Sequence, residues 1–423
     1  MLEPLRQRRF RLLFLAQCAS FLGDSIFIIA LAFAVLQVTG SARDLSLVLG
    51  IGTGLLVLSF LVSGVWADRL PRLPLMIASD VVRLASQGTL AVLLITDTAT
   101  LGWLIMLNGV YSMATAFFQP ARTGITPQLL DVRMLIPGNG LMAMAENVVW
   151  MIGWAVGGLL VAWVGVGWAI AIDAATFLVS ALFLLAIGRV PRAVRSEERT
   201  SFLYELRDGF REVTSRRWLW FVVINSTLFL MVYEAPMQIL GPLTMKADYN
   251  GASTWGFALS AMAGGAMLGA IVSASNRLPR PMLVALCLFF ASAAVPVLLL
   301  VAAPLWAIML CNALAGFGFG LFDTVWRSAI QHGVPADKVA RVSAWDWMGS
   351  LAGMPIGFAL AGVLVEWIGR DATLGVMAAA TLLVSIALIA DRETRHLGDD
   401  LRNLGNSSPT DEFDALVPGL TDL

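Results

Sequence analysis

The sequence predicts an all-α polytopic membrane protein with twelve transmembrane helices, arranged as two pseudo-symmetric six-helix bundles. Three observations support this fold class: an apolar composition, twelve apolar segments of span length, and a repeat between the two halves. Of the 423 residues, 58% are hydrophobic and only 13% are charged, whereas about a quarter of the residues in a soluble domain are charged. The composition therefore excludes an ordinary soluble protein.

Polar breaks divide the chain into twelve apolar segments, each near the ~20 residues that a helix needs to cross a ~30 Å hydrocarbon core. The segments are 10–38, 45–66, 75–96, 101–119, 137–163, 167–188, 218–241, 254–275, 281–302, 304–326, 343–366 and 371–390. Membrane β-strands need only about 10 residues and alternate in polarity, so these longer apolar segments are not spanning strands. The first segment lacks the small-residue cleavage pattern of a signal peptide, so we interpret it as a span.

Basic residues predict the orientation, because short loops rich in Lys and Arg stay in the cytoplasm. With the N-terminus inside, 24 of the 28 Lys and Arg residues lie in cytoplasmic segments. Only Arg43, Lys246 and Arg370 fall outside, and Arg83 lies within a span. We therefore expect a multi-pass protein of the plasma (inner) membrane with both termini in the cytoplasm.

An internal repeat relates the two halves of the chain. The matching stretches, at offsets of 204 to 208 residues, are "ADRLP" (67–71) with "SNRLP" (275–279), "GGLLVAWVG" (157–165) with "AGVLVEWIG" (361–369), and "ATFLVS" (175–180) with "ATLLVS" (380–385). Parallel repeats of this kind relate the halves of some transporters by an axis along the membrane normal.

The repeat and the polar segments predict four domains. They are an N-terminal six-helix bundle (1–189), a cytoplasmic linker with an amphipathic helix (190–217), a C-terminal six-helix bundle (218–391) and a disordered cytoplasmic tail (392–423). Within the linker, Phe202, Leu206, Phe210 and Val213 recur at helical spacing, which predicts that this helix lies at the membrane surface.

Acidic residues inside the spans are the candidate substrate or coupling groups, because a charge there is costly and usually functional. Asp24 lies near the centre of the first segment, Glu234 lies deep in the seventh and Glu146 lies in the fifth. Asp323 lies four residues before Arg327, a spacing that favours a local ion pair. We interpret Asp80 and Arg83, three residues apart, in the same way.

Motifs of enzymes and metal sites are missing from the sequence. It contains no G-x-x-x-x-G-K-[ST] phosphate loop and no H-E-x-x-H zinc motif, and its only histidines, His332 and His396, are far apart. We therefore predict that the protein is not an enzyme and that it uses no metal and no cofactor. Its expected partners are a small-molecule substrate, protons and membrane lipids, without nucleic acid, and we expect a monomer.

The stretch "GVWADRLPR" (64–72) resembles the signature between the second and third helices of the major facilitator superfamily, roughly G-x-x-x-D-R-x-G-R. The stretches "LGDSIFIIAL" (22–31), "FFQPARTGITPQLL" (117–130) and "GWAIAIDAATFLVSAL" (167–182) are similar to its drug-efflux branch, which contains macrolide exporters, the enterobactin exporter and a lysophospholipid flippase. The sequence departs from the usual pattern at Pro71, which replaces a Gly, and at Trp154, which replaces the Pro usual in antiporters. The fourth segment (101–119) also lacks the Arg often tied to proton coupling.

The resemblance implies that the signature forms a cytoplasmic gate between the halves. The gate residues are Gly64, Asp68, Arg69 and Arg72 in the first copy and Asn276, Arg277 and Arg280 in the second. Asn276 replaces the Asp of the first copy, so the first copy is expected to contribute more to the gate. A purely topogenic turn remains the alternative interpretation.

The resemblance also implies a secondary active efflux transporter that exports a hydrophobic or amphipathic small molecule (a drug, siderophore or natural product) by alternating access, driven by protons. Two alternatives stay open. One is a lysophospholipid or other lipid flippase of the same fold, which would transport without a proton gradient. The other is a non-transporting membrane receptor, which would tolerate loss of Asp24 and Glu234.

Overall fold

The computed structural model describes residues 3–190, 202–275, 278–335 and 338–397. Within these ranges every regular element is a helix and there is no β-strand. Lipid offers no hydrogen-bond partners, so a spanning segment must satisfy its own backbone groups, as a helix does. The helical membrane fold predicted from the composition is therefore confirmed.

Six long helices form the first half of the chain. They are α1 (Arg8–Val38), α2 (Ala42–Arg69), α3 (Arg72–Ile95), α4 (Leu101–Leu129), α5 (Leu135–Val164) and α6 (Val166–Ile187), with 3-10 turns at Glu3–Arg6 and Val132–Met134. Helix α4 is longer than its apolar segment (101–119) because it continues through Pro120 and Pro127 to a polar end. The sequence pattern thus locates the spans but not the ends of the helices.

The second half is more segmented. Its elements are α7 (Phe202–Ser215), α8 (Arg217–Phe229), a π-helical turn (Leu230–Glu234), α9 (Ala235–Asp248), α10 (Ala252–Ala274), α11 (Pro281–Leu288), α12 (Phe290–Leu300), α13 (Leu305–Gly333), α14 (Val339–Ala352), α15 (Met354–Ala390) and α16 (Arg392–Arg395). Helices α8 and α9 are continuous through the π-helical turn and form one candidate span, Arg217–Asp248, and α11 with α12 forms another, Pro281–Leu300.

The described ranges contain eleven segments long and apolar enough to cross a membrane. The last of them, Arg341–Ala390, has 50 residues, which at ~1.5 Å per residue is about two and a half times the length that one crossing needs. Gly369, at φ 82° and ψ 169°, interrupts the helical backbone within it. This interruption coincides with the polar break predicted between segments 343–366 and 371–390, and the count of twelve stays a prediction.

Two ends of the molecule can be defined from these helices. The basic face is the end that carries Arg11, Arg72, Arg122 and Arg327, and the distal face is the opposite end, which carries the loops after α1, α3, α5 and α9. Gly40, Gly165 and Gly251 in three of these distal loops have positive φ, a conformation that glycine adopts without steric cost.

The two halves contact each other mainly toward the distal face. An Arg43 Nη1 to Glu366 Oε2 ion pair of 3.3 Å joins α2 to α15, and Lys246 Nζ donates to the Leu36 carbonyl oxygen at 2.7 Å. Helices α5 and α10 meet at Gly158, where a Cβ atom would lie 2.5 Å from the Ala252 carbonyl oxygen. Glycine therefore permits a backbone approach that any side chain would prevent.

Toward the basic face the same two helices carry exposed apolar side chains. Ile136 on α5 is 86% exposed, and Leu268 and Ile271 on α10 are 54% and 59% exposed. The described contacts between α5 and α10, including a hydrogen bond from Ser260 Oγ to the Met151 carbonyl oxygen at 2.8 Å, lie in their distal and central parts. We infer from this distribution of contacts that the halves separate toward the basic face, and we call the space between them there the cleft.

Replacing Gly158 by Ala is expected to weaken the distal contact, because the new methyl group would overlap the α10 backbone. The readout is the disulfide yield between Arg43→Cys and Glu366→Cys in a chain whose native cysteines are Ala. Gly88→Ala on α3 is the matched control, because no atom lies within 4 Å of its Cβ position. A yield that stays unchanged in Gly158→Ala would contradict the role of this glycine.

Helix α7 packs against α14 at the basic face. Asp208 accepts from Arg341 Nη1 at 2.8 Å and Glu212 accepts from Lys338 Nζ at 2.9 Å, and Gly209 lies against Trp345. Val213 is buried with Val342, whereas the ring of Phe210, 51% exposed, contacts Trp345. The helix thus contacts protein on one side, and its contact with the membrane surface stays a prediction. The side chains of Phe202 and Leu206, residues 191–201 and the tail from 398 lie outside the described residues.

Acidification is expected to loosen this packing. Hydrogen bonds from Lys338 and Arg216 hold the pKa of Glu212 below its usual range. A carboxyl whose pKa is lowered by folding contributes stability above its unfolded pKa and loses that contribution as the pH falls through the folded pKa. The protection factors of the α7 amides, which correct for the slower intrinsic exchange at low pH, should therefore fall as the pH drops below the ordinary pKa range of a Glu carboxyl, and Glu212→Gln should show less of this pH dependence. Glu3→Gln is the control, and equal pH profiles in the wild type and Glu212→Gln would contradict the prediction.

Candidate functional site

A buried cluster of polar residues lies inside the first half, where α1, α3, α4 and α6 meet. We call it the N-bundle cluster, and its members are Asp24, Asp80, Arg83, Tyr111 and Asp173. Asp80 and Asp173 are 0% exposed and Arg83 is 1% exposed. Buried charges are stable only when they are paired and hydrogen-bonded, so the partners of each member decide its charge.

Arg83 lies at the centre of the N-bundle cluster. Its Nη2 donates to Asp80 Oδ1, and its Nη1 lies 3.7 Å from Asp24 Oδ1. The rings of Phe118 and Phe177 lie 4.2 and 4.4 Å from its Cζ atom, positions in which aromatic faces stabilise a cation. The predicted ion pair of Asp80 and Arg83 is therefore present, but it is part of a buried network rather than an isolated local pair.

Asp24 connects this cluster to the cleft. Tyr111 Oη donates to Asp24 Oδ1 at 2.6 Å, and the Asp24 side chain is 15% exposed whereas that of Arg83 is 1% exposed. The Arg122 guanidinium also interacts electrostatically with Asp24. Asp24 thus combines buried hydrogen-bond and ion-pair partners with a small exposed fraction of its side chain.

Two ion pairs line the cleft, one in each half. Arg122 Nη1 lies 3.1 Å from Glu146 Oε2 and joins α4 to α5, and Arg327 Nε lies 2.8 Å from Asp323 Oδ2 within α13. Arg327 also interacts electrostatically with Glu146 of the opposite half. The structure therefore brings Glu146 and Asp323 into one charged region, although no partner for Glu146 was predicted.

Glu234 ends the π-helical turn of the seventh span. Gln238 Nε2 donates to Glu234 Oε1 at 3.3 Å, and Pro236 follows in the first turn of α9. A small cavity here is lined by Tyr233, Glu234, Met237, Gln238, Trp255, Leu259, Met262 and Asn312. The lining combines one acid and two amides with apolar and aromatic side chains, a chemistry that suits a ligand that is both apolar and positively charged. π-Helical turns often occur at functional sites.

The predicted gate residues are only partly described. Arg72 Nη1 donates to the Gly124 carbonyl oxygen of α4, so in this conformation it contacts its own half. Arg280 precedes α11 in a left-handed conformation, φ 67° and ψ 62°. Asn276 and Arg277 lie outside the described residues, as do the side chains of Asp68 and Arg69 on α2, the helix that also contains Gly64. Their role as a gate stays a prediction.

Asp173 and Tyr111 are members of the N-bundle cluster that were not predicted as site residues. Both Asp173 carboxylate oxygens are buried and have no hydrogen-bond partner among the described residues. An acid within an apolar segment is itself a signal of function, and this signal is present at Asp173 as it is at Asp24. Among the described residues no group of three or more His, Cys, Asp or Glu side chains is arranged to hold a metal ion.

Known proteins agree with this architecture. The family model of the Major Facilitator Superfamily matches residues 13–345 and 273–416. Macrolide efflux protein A of Streptococcus pyogenes is 24% identical over 392 residues, 90% of this chain and 95% of that protein. Multidrug efflux pump Tap of Mycolicibacterium fortuitum is 27% identical over 393 residues, 87% of this chain and 91% of that protein.

Two solved structures show the same fold. The nucleoside transporter NupG aligns with a TM-score of 0.72 at 13% identity, covering 90% of this chain and 98% of that one. A bacterial homologue of the iron transporter ferroportin in an inward-facing state aligns with a TM-score of 0.72 at 15% identity, covering 90% and 97%. The family model, the efflux relatives and the fold agree, and the chain belongs to the Major Facilitator Superfamily.

Proposed function

We propose that this protein is a secondary active exporter that exchanges protons for a hydrophobic or amphipathic small molecule, such as a drug, a siderophore or another natural product. The observation that carries this proposal is that each half holds a partly exposed acid within a membrane-spanning helix, Asp24 in α1 and Glu234 before α9. A carboxylate cannot hold a proton and a cation equally well at once, which makes exchange possible. The efflux relatives support export as the direction.

Alternating access is the transport mechanism we infer. The distal contacts at Gly158 and at the Arg43–Glu366 pair close one end, and the cleft opens at the other. Transport would then break these contacts and bring the basic ends together, where Arg72 and the other predicted gate residues lie. An exposed ion pair stabilises a structure by only about 0–1 kcal/mol, so the Arg43–Glu366 pair is weak enough to open in each transport cycle.

The basic face is proposed to be cytoplasmic, in a plasma (inner) membrane and in a monomeric protein. The excess of Lys and Arg at this face supports the orientation. Single cysteines at Thr98 in the distal face and His332 in the basic face, both exposed, provide the test. An impermeant thiol reagent added to intact cells should label the first and not the second, and labelling of both or of His332→Cys alone would refute the orientation.

Transport in everted membrane vesicles tests the function. Vesicles containing the protein should accumulate ethidium, an apolar cation, or radiolabelled erythromycin, a macrolide, when their lumen is acidic, and nigericin should abolish the accumulation. Accumulation that resists nigericin would remove proton coupling from the proposal. Translocation of a fluorescent lysophospholipid without a gradient, in place of drug transport, would favour the flippase, and the absence of any transport would favour the receptor.

A further inference from the structure

Asp173 in the N-bundle cluster is a buried acid that the proposed transport cycle does not yet use. Its side chain lies in α6 at 0% exposure, and neither carboxylate oxygen has a hydrogen-bond partner in the described part of the chain. Oδ1 lies against the backbone of α1, because a Cβ atom at Gly23 would come 2.5 Å from it. Gly23 directly precedes Asp24, so the two acids of α1 and α6 are neighbours.

The charges of the cluster do not balance if every acid is ionised. Asp24, Asp80 and Asp173 would contribute three negative charges, and Arg83 supplies one positive charge. Asp80 accepts hydrogen bonds from both Arg83 and Ser180 Oγ, the latter at 2.7 Å. These donors favour the ionised form of Asp80.

Asp24 and Asp173 differ in what surrounds them. Asp24 accepts from Tyr111, lies near Arg83 and reaches the cleft, and these features support its ionised form. The Asp173 carboxyl receives no hydrogen bond from any described residue and interacts electrostatically with Asp24 and Arg83. The nearby Thr176 Oγ1 donates instead to the Asp173 backbone carbonyl oxygen at 2.7 Å. An ionised carboxylate without a donor in such a site is strongly disfavoured.

We propose that Asp173 is a proton-binding site, held as a neutral carboxylic acid in this conformation, and that it exchanges its proton with the cleft through Asp24. The two carboxyls are not hydrogen-bonded to each other in this conformation, so the exchange requires rotation of a side chain or a bridging water molecule. The O–H bond of Asp173 then breaks and a proton bonds to the Asp24 carboxylate, so the net charge of the cluster is unchanged. Release from Asp24 to the cleft then leaves the cluster with one more negative charge near Arg83. The presence of the proton rests on geometry alone, whereas its use in transport rests on the proposed function.

Infrared spectroscopy of the full-length protein tests the charge of Asp173 directly. The wild-type minus Asp173→Asn difference spectrum at neutral pH should contain the carbonyl band of a neutral carboxylic acid, which shifts to lower frequency in D2O. Asp97→Asn in an exposed loop is the matched control, and its difference spectrum should contain carboxylate bands instead. Asp173→Ser provides the same subtraction if the Asn variant does not fold. Carboxylate bands for Asp173 would overturn the proposal.

Vesicle transport of ethidium tests the exchange. Asp173→Asn should lose accumulation driven by an acidic lumen while it keeps downhill ethidium flux, because the amide copies the neutral acid and cannot release a proton. Accumulation equal to that of the wild type would overturn the exchange role. If the wild type itself shows no proton-driven accumulation, the proposed function and the exchange role fail, and the infrared spectrum still decides whether Asp173 holds a proton.

Discussion

Replacing Arg83 by Met is expected to destabilise the protein by about 3–5 kcal/mol, the usual cost of removing one partner from a buried ion pair. Arg83 is the guanidinium that interacts with all three acids of the N-bundle cluster. Without it, Asp80 keeps only the Ser180 hydroxyl as a described partner. Thermal unfolding in detergent should show the loss as a lower Tm.

Three variants separate the charge of Arg83 from its packing. Arg133→Met at an exposed position should leave the Tm unchanged. Arg83→Lys should lower it less than Met does, because Lys keeps the charge but lacks the planar donors. Arg83→Met combined with Asp80→Asn should recover part of the loss, because the uncompensated carboxylate is gone. A Tm of Arg83→Met equal to that of the wild type would show that the cluster does not need this cation.

Replacing Asp24 by Asn is expected to abolish proton-driven efflux. The amide oxygen can still accept from Tyr111 Oη, so the side chain keeps its place but behaves as a permanently protonated carboxyl. Expression and downhill exchange should remain. Ethidium accumulation in everted vesicles should fall to the level of vesicles that lack the protein, because the carboxyl that faces the cleft no longer binds and releases a proton.

Glu234 and an exposed acid provide the comparison for this variant. Glu234→Gln should reduce proton-driven accumulation only in part, because the Glu234 pocket lies in the other half and away from the N-bundle cluster. Asp97→Asn should leave it unchanged. Full proton-driven efflux in the Asp24→Asn, Glu234→Gln double variant would refute both roles, and coupling would then have to involve Glu146 or Asp323, or not occur.

The candidate site was only partly predictable from the sequence. Asp24, Glu146 and Glu234 were selected because an acid is rare in an apolar segment, and the Asp323–Arg327 pair followed from helical spacing. The partner of Glu146 could not be selected, because Arg122 lies on a different helix. Asp173 carried the same signal as Asp24 and was not selected, and its lack of a partner is visible only in the packed bundle.

The helical membrane class of this protein follows from its sequence alone, which also predicts the spans and the repeat. These features depend on local properties, because a lipid environment requires about 20 apolar residues per crossing and internal backbone hydrogen bonds. The packing of the helices determines which residues of the site contact one another. The Tyr111–Asp24 hydrogen bond joins residues 87 positions apart, and the Ser180–Asp80 hydrogen bond joins residues 100 positions apart. Such contacts depend on which helix faces meet, and the charge state of each acid depends in turn on those contacts, so neither follows from the order of the residues.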